Sequence, residues 1–284
     1  MKIGIGLPNQ VRDVRATVIP AWARTAEEAG FSSLGTVGRI AYPGIIDTVA
    51  LAASAGATST IGLVSTVMLA PVWPAPLLAK ELASLQAVSG GRLTVGIGVG
   101  GRSDDFVVEG HGPKGLGKRM NAALEDYKAL WSGQPVGGGD NPGVPGGSID
   151  VPMLFGGFAP AAMERMAKWG IGYIGGSVPA PVIAPLFDNA RAAWKQAGRE
   201  GQPRLAVIAY YSITDPDKGR ANAYDYYSVA GEDFAKSVAG NVATTDAQLR
   251  ELVKSFEEIG ADELIIHPVT DELDDVARLA DIVL

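Results

Sequence analysis

The 284-residue sequence contains no cysteine and only two histidines. The first absence excludes disulfides, thiolate metal sites and a cysteine nucleophile. The second leaves His111 and His267, far apart and without an adjacent carboxylate motif, so no metal centre is expected. Basic residues are outnumbered, 24 Lys and Arg against 31 Asp and Glu, for a net charge of −7. No local basic stripe offsets that field, so nucleic acid is not an expected partner. Long apolar runs are also missing: none approaches the ~18 residues that cross a bilayer. Residues 1–8 carry one Lys and a short strand-like run, with no small-residue cleavage site, and no signal peptide is read there. The expected location is the cytoplasm, with no membrane partner. Charged residues make up 19% of the chain and hydrophobic ones 47%, which suits a large buried core rather than disorder.

What the chain does have is alternation. Short β-branched runs at 3–7, 33–37, 61–68, 93–99, 153–155, 172–174, 205–211 and 263–267 read as strands. Between them, helical periodicity appears at 18–29, 46–57, 75–88, 118–131, 160–169, 181–197, 245–259 and 273–283. Gly30 and Gly90–Gly91 stop two of these helices, and Thr245 or Asp246 caps another. Eight strand–helix units without a composition shift predict one domain, 1–284, folded as a closed (β/α)8 barrel. Two stretches break the rhythm. Residues 133–150 are Gly/Pro-rich and read as an exposed loop. Residues 215–243, after strand seven, read as an irregular insertion at the face where barrel enzymes keep their sites, and so as a candidate lid carrying Tyr224, Tyr226 and Tyr227.

Strand ends supply the candidate site residues. After strand five comes Phe155-Gly156-Gly157-Phe158-Ala159-Pro160, where glycines and a helix N-terminus can aim N–H groups at an anion; an ordinary tight turn is the alternative. Asn9 and Gln10 end strand one and can hydrogen-bond a substrate or form a turn. Tyr210 and Tyr211 end strand seven, and alternation sends one inward and the other outward; Tyr211 is taken as the mouth residue. His267 ends strand eight, where it either acts in catalysis or makes a structural hydrogen bond. No strand end carries a Schiff-base Lys or clustered metal ligands, which disfavours an aldolase or a metal-dependent hydrolase.

The segment LLAKELASLQAVSGGRLTVGIGVG at 77–100 resembles the bacterial luciferase-like family of flavin-dependent monooxygenases and deazaflavin-dependent oxidoreductases. Further segments agree in order: AEEAGFSSL at 26–34, DDFVVEG at 104–110 with KRM at 118–120 and ALWSG at 129–133, PMLFGGFAPAAMERMAKWGIGYIGG at 152–176, and EEIGADELIIHP at 257–268. The resemblance implies a TIM-type barrel with FMN, or alternatively the deazaflavin coenzyme F420, across the strand C-termini. It also implies a small-molecule substrate, a homodimer and, for an oxygenase, a separate flavin reductase. It favours the phosphate reading of Gly156, Gly157, Phe158 and Ala159, and assigns phosphate contact to Arg119, with Arg102 and Gly100 near the mouth. Several relatives carry a non-prolyl cis peptide at the end of strand three, which places it at Ser65–Thr66, give or take one residue, with Ser65, Thr66 and Val67 behind the ring. Where many relatives have Asp-His after strand two, this chain has Gly38-Arg39, and Gly101-Arg102 stands where the deazaflavin sugar-phosphate dehydrogenases have Glu. Both departures argue against that chemistry. They leave Arg39 as an anion binder or a partner of Asp47, and they keep a non-catalytic flavin-binding barrel as a rival.

Overall fold

The computed structural model describes every residue except His111 and Val136, and every side chain except those two and those of Val108 and Glu109. Eight parallel strands close in sequence order: β1 (Lys2–Gly6), β2 (Ser33–Thr36), β3 (Gly62–Leu69), β4 (Leu93–Gly98), β5 (Met153–Phe155), β6 (Gly172–Gly175), β7 (Arg204–Tyr211) and β8 (Glu263–Pro268). The seam is made by β1 and β8, with Lys2 to Ile5 paired against Glu263 to Ile266. The expected barrel is therefore present. Its strands are buried on both faces, as parallel strands covered by helices must be.

The helices are α1 (Ile19–Ala29), α2 (Asp47–Ala57), α3 (Ala75–Val88), α4 (Ser103–Glu109), α5 (Leu116–Trp131), α6 (Pro160–Trp169), α7 (Ala180–Gln196), α8 (Pro216–Tyr227), α9 (Glu232–Gly240), α10 (Asp246–Glu258) and α11 (Asp274–Val283). Gly30 adopts the left-handed conformation that ends α1, and Thr245 Oγ1 accepts the Gln248 N–H to cap α10. Two expectations change. Helix α5 begins two residues before 118, and the short α4 precedes it. The stretch expected to be irregular at 215–243 is mostly helical, as α8 and α9. Its polar, Tyr-rich composition hid the helical period, because here tyrosines bury themselves against the barrel mouth instead of forming an aliphatic stripe.

Alternation along β7 sorts the core into two layers. Leu205, Val207, Ala209 and Tyr211 point outward to the helices. Ala206, Ile208 and Tyr210 point inward, joining Val64, Leu154, Ile174 and Ile265 from other strands. Tyr226 and Tyr227 of α8 sit on this inner layer like a stopper.

Candidate functional site

A cavity of about 410 Å³ opens at the C-terminal ends of β3 to β6. Thr66 and Val67 form part of its wall, and the peptide between them is cis, one residue from the position expected. The β3–β4 register shifts at the same place, between Ser65 and Met68. Ser65 itself is buried behind the wall, donating its hydroxyl to Gly96 O at 2.9 Å. It holds the bulge and does not touch the cavity.

The turn after β5 also lines the cavity, through Gly156, Gly157, Phe158 and Ala159, and across from it so does Gly100. The Gly156 N–H is committed to Ile97 O at 3.0 Å. Those of Gly157, Phe158 and Ala159 donate to no group among the described residues, and they sit at the N-terminus of α6, where the helix dipole favours negative charge. Tyr173, fully buried, donates its hydroxyl to Gly157 O at 3.2 Å and fixes the turn from below.

The cation beside this turn is not the expected one. Arg119 is absent from the cavity lining; its guanidinium donates to Gly112 O at 3.1 Å and Lys114 O at 3.0 Å. Arg119 lies on the face of α5 turned to its own preceding loop, while Met120, the next residue, lines the cavity. Arg165 lines the cavity from α6. It lies three residues beyond Ala162, hence on the same helix face, and is held by Asn121 Oδ1 at 2.7 Å and Gly117 O at 3.2 Å. Sequence reading passed over Arg165. Its spacing from the Gly156–Gly157 turn, one turn into the helix whose N-terminus was singled out, was the available signal.

Arg102 lines the cavity as expected. Its guanidinium lies 4.8 Å from the Tyr226 ring centre and 5.0 Å from that of Tyr227, and it has no hydrogen-bond partner among the described residues. It does not pair with the neighbouring Asp104 or Asp105, because Arg39 takes both carboxylates. Arg39 also donates to Tyr226 O at 2.9 Å and lies over the Tyr42 ring. With its side chain 3% exposed, Arg39 is a buried tie between the β2–α2 loop, α4 and α8. It is neither a free anion binder nor the partner of Asp47.

Gly38 also lines the cavity, and no side chain fits there, since a Cβ would stand 1.7 Å from Asp47 Oδ2. The Asp47 carboxyl thus fills the side-chain space of residue 38 from behind. Burial pushes its pKa up to about 6, against a smaller opposing contribution from the Thr36 hydroxyl.

His267 does not reach the cavity. It is fully buried below the mouth, where a Cβ on Gly6 would stand 2.2 Å from its Nδ1. The Thr66 hydroxyl donates to Thr36 O at 2.8 Å, so the 2.9 Å contact to His267 has Nε2–H as donor. Burial lowers the imidazole pKa to about 3. A neutral, sealed ring is a poor catalyst, and His267 takes the structural role of the two, not the catalytic one.

The remaining mouth residues also turn inward on the protein. Asn9 gives its amide to Val37 O and Ile45 O, both at 3.0 Å, and accepts from Val37 N–H. Gln10 donates to Pro268 O. Tyr211 points outward toward the helices, and Tyr210 is the inward one. Its hydroxyl lies 2.8 Å from that of Tyr227, which lines the cavity. His111 lies outside the described residues.

Comparison with known proteins adds identity to this geometry. A family model described as luciferase-like monooxygenase matches residues 1–266. The chain is 30% identical over 183 residues to the uncharacterized protein Rv0953c of Mycobacterium tuberculosis, covering 59% of this chain and 62% of that relative's length. It is 26% identical over 221 residues to Rv0940c of the same organism, covering 68% and 76%. Among solved structures, monooxygenase RslO1 from Streptomyces bottropensis superposes with TM-score 0.78 at 20% identity, covering 99% of this chain and 97% of the other. An F420-dependent secondary alcohol dehydrogenase in complex with an F420-acetone adduct gives 0.76 at 17%, covering 99% and 97%. The oxygenating constituent of 3,6-diketocamphane monooxygenase from Pseudomonas putida, in complex with FMN, gives 0.75 at 16%, covering 100% and 95%. At these identities the structural matches speak for the fold.

Proposed function

The chain belongs to the luciferase-like monooxygenase family, and from that membership we propose that it is an oxidoreductase using reduced FMN on a small organic substrate. One observation carries the reading: Gly157, Phe158 and Ala159, whose N–H groups donate to nothing among the described residues, line the same cavity as Arg165, while much of the remaining wall, including Val67, Ile174 and Ile208, is apolar. An anionic tail at the start of α6 and a flat ring against the apolar wall fit that arrangement. Phosphate is suited by both the N–H nest and the planar guanidinium. When bound, the cofactor supplies hydride or activates O₂.

The protein's own groups would then bind, orient and shield. Arg102, stacked against Tyr226 and Tyr227, gives the cavity a second positive charge. Tyr227 lines the cavity and its hydroxyl shares a hydrogen bond with Tyr210 Oη, so we assign it the role of holding or donating a proton. Helices α8 and α9 exclude water from above. A homodimer and a separate flavin reductase belong to the same proposal.

Coenzyme F420 is the second reading, since two structural neighbours are described as F420-dependent and the same phosphate nest would serve. Titrating the purified protein with FMN and F420, each oxidised and reduced, separates the two. NAD(P)H oxidation with and without FMN then distinguishes an oxygenase fed by a reductase from a hydride-transfer enzyme. Binding of neither cofactor below about 100 µM, a weak affinity, would overturn the proposal.

A further inference from the structure

A second cavity, of about 620 Å³, lies between the loop after β6, the end of β7 and the first turns of α10. It is not a separate pocket on the far side of the barrel: Ser177, Val178 and Ile208 wall both it and the cavity just described. Its roof is the segment joining α9 to α10. Ala243 fastens that segment to β7, donating to Tyr210 O at 2.9 Å and accepting from Ser212 N–H at 3.0 Å.

The two cavities differ in chemistry. Among the described residues, the first presents two arginines and no carboxylate. The second presents no Lys or Arg. Its walls are Pro179, Ala180, Val242, Ala243, Leu252 and Phe256, and its outer edge carries Asn241, Gln248 and the Glu251 carboxylate. A cavity lined by apolar groups with a few polar ones at one side is the usual form of a small-molecule site, and this volume falls in the usual range of about 300–1,000 Å³. An anion would meet Glu251 with no compensating cation. A neutral, mainly apolar molecule would bury its body against the walls and leave its hydroxyl or amide groups at the polar edge.

We propose that this chamber is the substrate site, and that its occupant is a neutral, predominantly apolar organic molecule whose reacting end passes the shared wall of Val178 and Ile208 into the first cavity. The inference rests on the reading of the first cavity as the seat of the redox cofactor. A ring with a phosphate tail would fill much of that space, and the adjoining chamber is where a second reactant has room. Anionic substrates are selected against by the same edge that admits neutral ones.

The test uses the full-length protein, with and without whichever of FMN or F420 it takes up. Nile red, a neutral apolar dye, reports chamber binding by fluorescence, and 1-octanol and octanoate compete for it. Ala247→Trp places a large ring into the chamber from an exposed position on the first turn of α10. The expected result is saturable dye binding that Ala247→Trp weakens at least tenfold, with cofactor affinity unchanged within twofold. Octanol should displace the dye at concentrations at least tenfold below octanoate, and Glu251→Gln should narrow that gap. Equal dye binding by the wild type and Ala247→Trp, or equal displacement by the two competitors, overturns the chamber while leaving the cofactor reading intact. Dye binding that follows these rules in a protein that takes up neither cofactor overturns the redox reading and, with it, the substrate role.

Discussion

Sequence pointed to Arg119 beside the turn after β5, yet Arg165, which it passed over, is the one that lines the cavity, and helix phase decides it. Arg165 faces the cavity, whereas Arg119 is spent on loop carbonyls. A hydrogen bond to a charged group contributes about 1.5–3 kcal/mol, so Arg165→Ala should weaken binding of the phosphate-bearing cofactor by roughly 10- to 150-fold. Arg119→Ala should change it less than about threefold, and both variants should keep a folded circular dichroism spectrum. The reverse order of effects would return the phosphate to Arg119. Tyr227→Phe removes the phenol that lines the cavity. If that phenol gives a proton during turnover, kcat should fall about 10²-fold or more with cofactor affinity preserved.

At the same scale, two buried ionisable groups give stability opposite pH slopes. His267 stays neutral in the folded protein down to about 3 but titrates near 6.5 when exposed. Its contribution is complete above 6.5 and is lost as pH falls toward 3, in total on the order of 4–5 kcal/mol. Asp47 is raised from 3.8 to about 6. Its contribution is complete below 3.8 and is lost as pH rises through 6, on the order of 3 kcal/mol. Asp47→Asn should therefore raise Tm relative to wild type at pH 7.5 and not at pH 3.5. His267→Gln should flatten the acid limb instead. Thermal melts across pH 3–8 check both, and a gain for Asp47→Asn confined to low pH would reverse the assignment. Neither group was legible as a buried charge, because sequence places Asp47 at a helix start and His267 at a strand end, both ordinary positions. What seals them lies outside their own elements: Gly38 of the preceding loop for Asp47, and Gly6, Gly35 and Thr66 from distant chain for His267.

Between single residues and the barrel stand the elements that close its mouth. Helix α8 is tied down through Asp225, which accepts from Arg12 Nε at 2.8 Å and from the Tyr42 hydroxyl at 2.7 Å, and through Arg39 bonded to Tyr226 O. Asp105, fully buried, holds the other side of this tie, accepting the N–H groups of Ile40 and Ala41 at 2.9 and 2.8 Å and facing Arg39. Removing one partner of a buried pair costs about 3–5 kcal/mol. Asp105→Ala should approach that loss in chemical denaturation and speed amide exchange in α8 before the strands. Exchange that rises uniformly over the barrel would contradict a local role for this tie. The strand–helix alternation was readable because aliphatic residues recur with the right periods. The closing helices were not, since their contacts run through tyrosines, arginines and carboxylates whose period is not hydrophobic. The same cause misplaced Arg39, whose partners Asp104 and Asp105 lie some 65 residues further on.

For the molecule as a whole, the barrel class followed from counting eight units, while the direction of a single strand-end residue did not. Alternation forces Tyr210 and Tyr211 to opposite sides but does not say which goes where. Strand phase is set by pairing, here Tyr210 with His267 and Tyr211 with Pro268. The closing pair has a consequence for synthesis. Strand β1 is made first, yet one of its edges is completed only by β8, more than 250 residues later. Until the last strand leaves the ribosome, the nascent chain carries an open, apolar edge of the kind that recruits other strands. Contacts of such separation also form slowly. The growing chain is thus most exposed to aggregation late in translation, and a chain cut before Glu263 should precipitate or stay bound to chaperones where the full one dissolves.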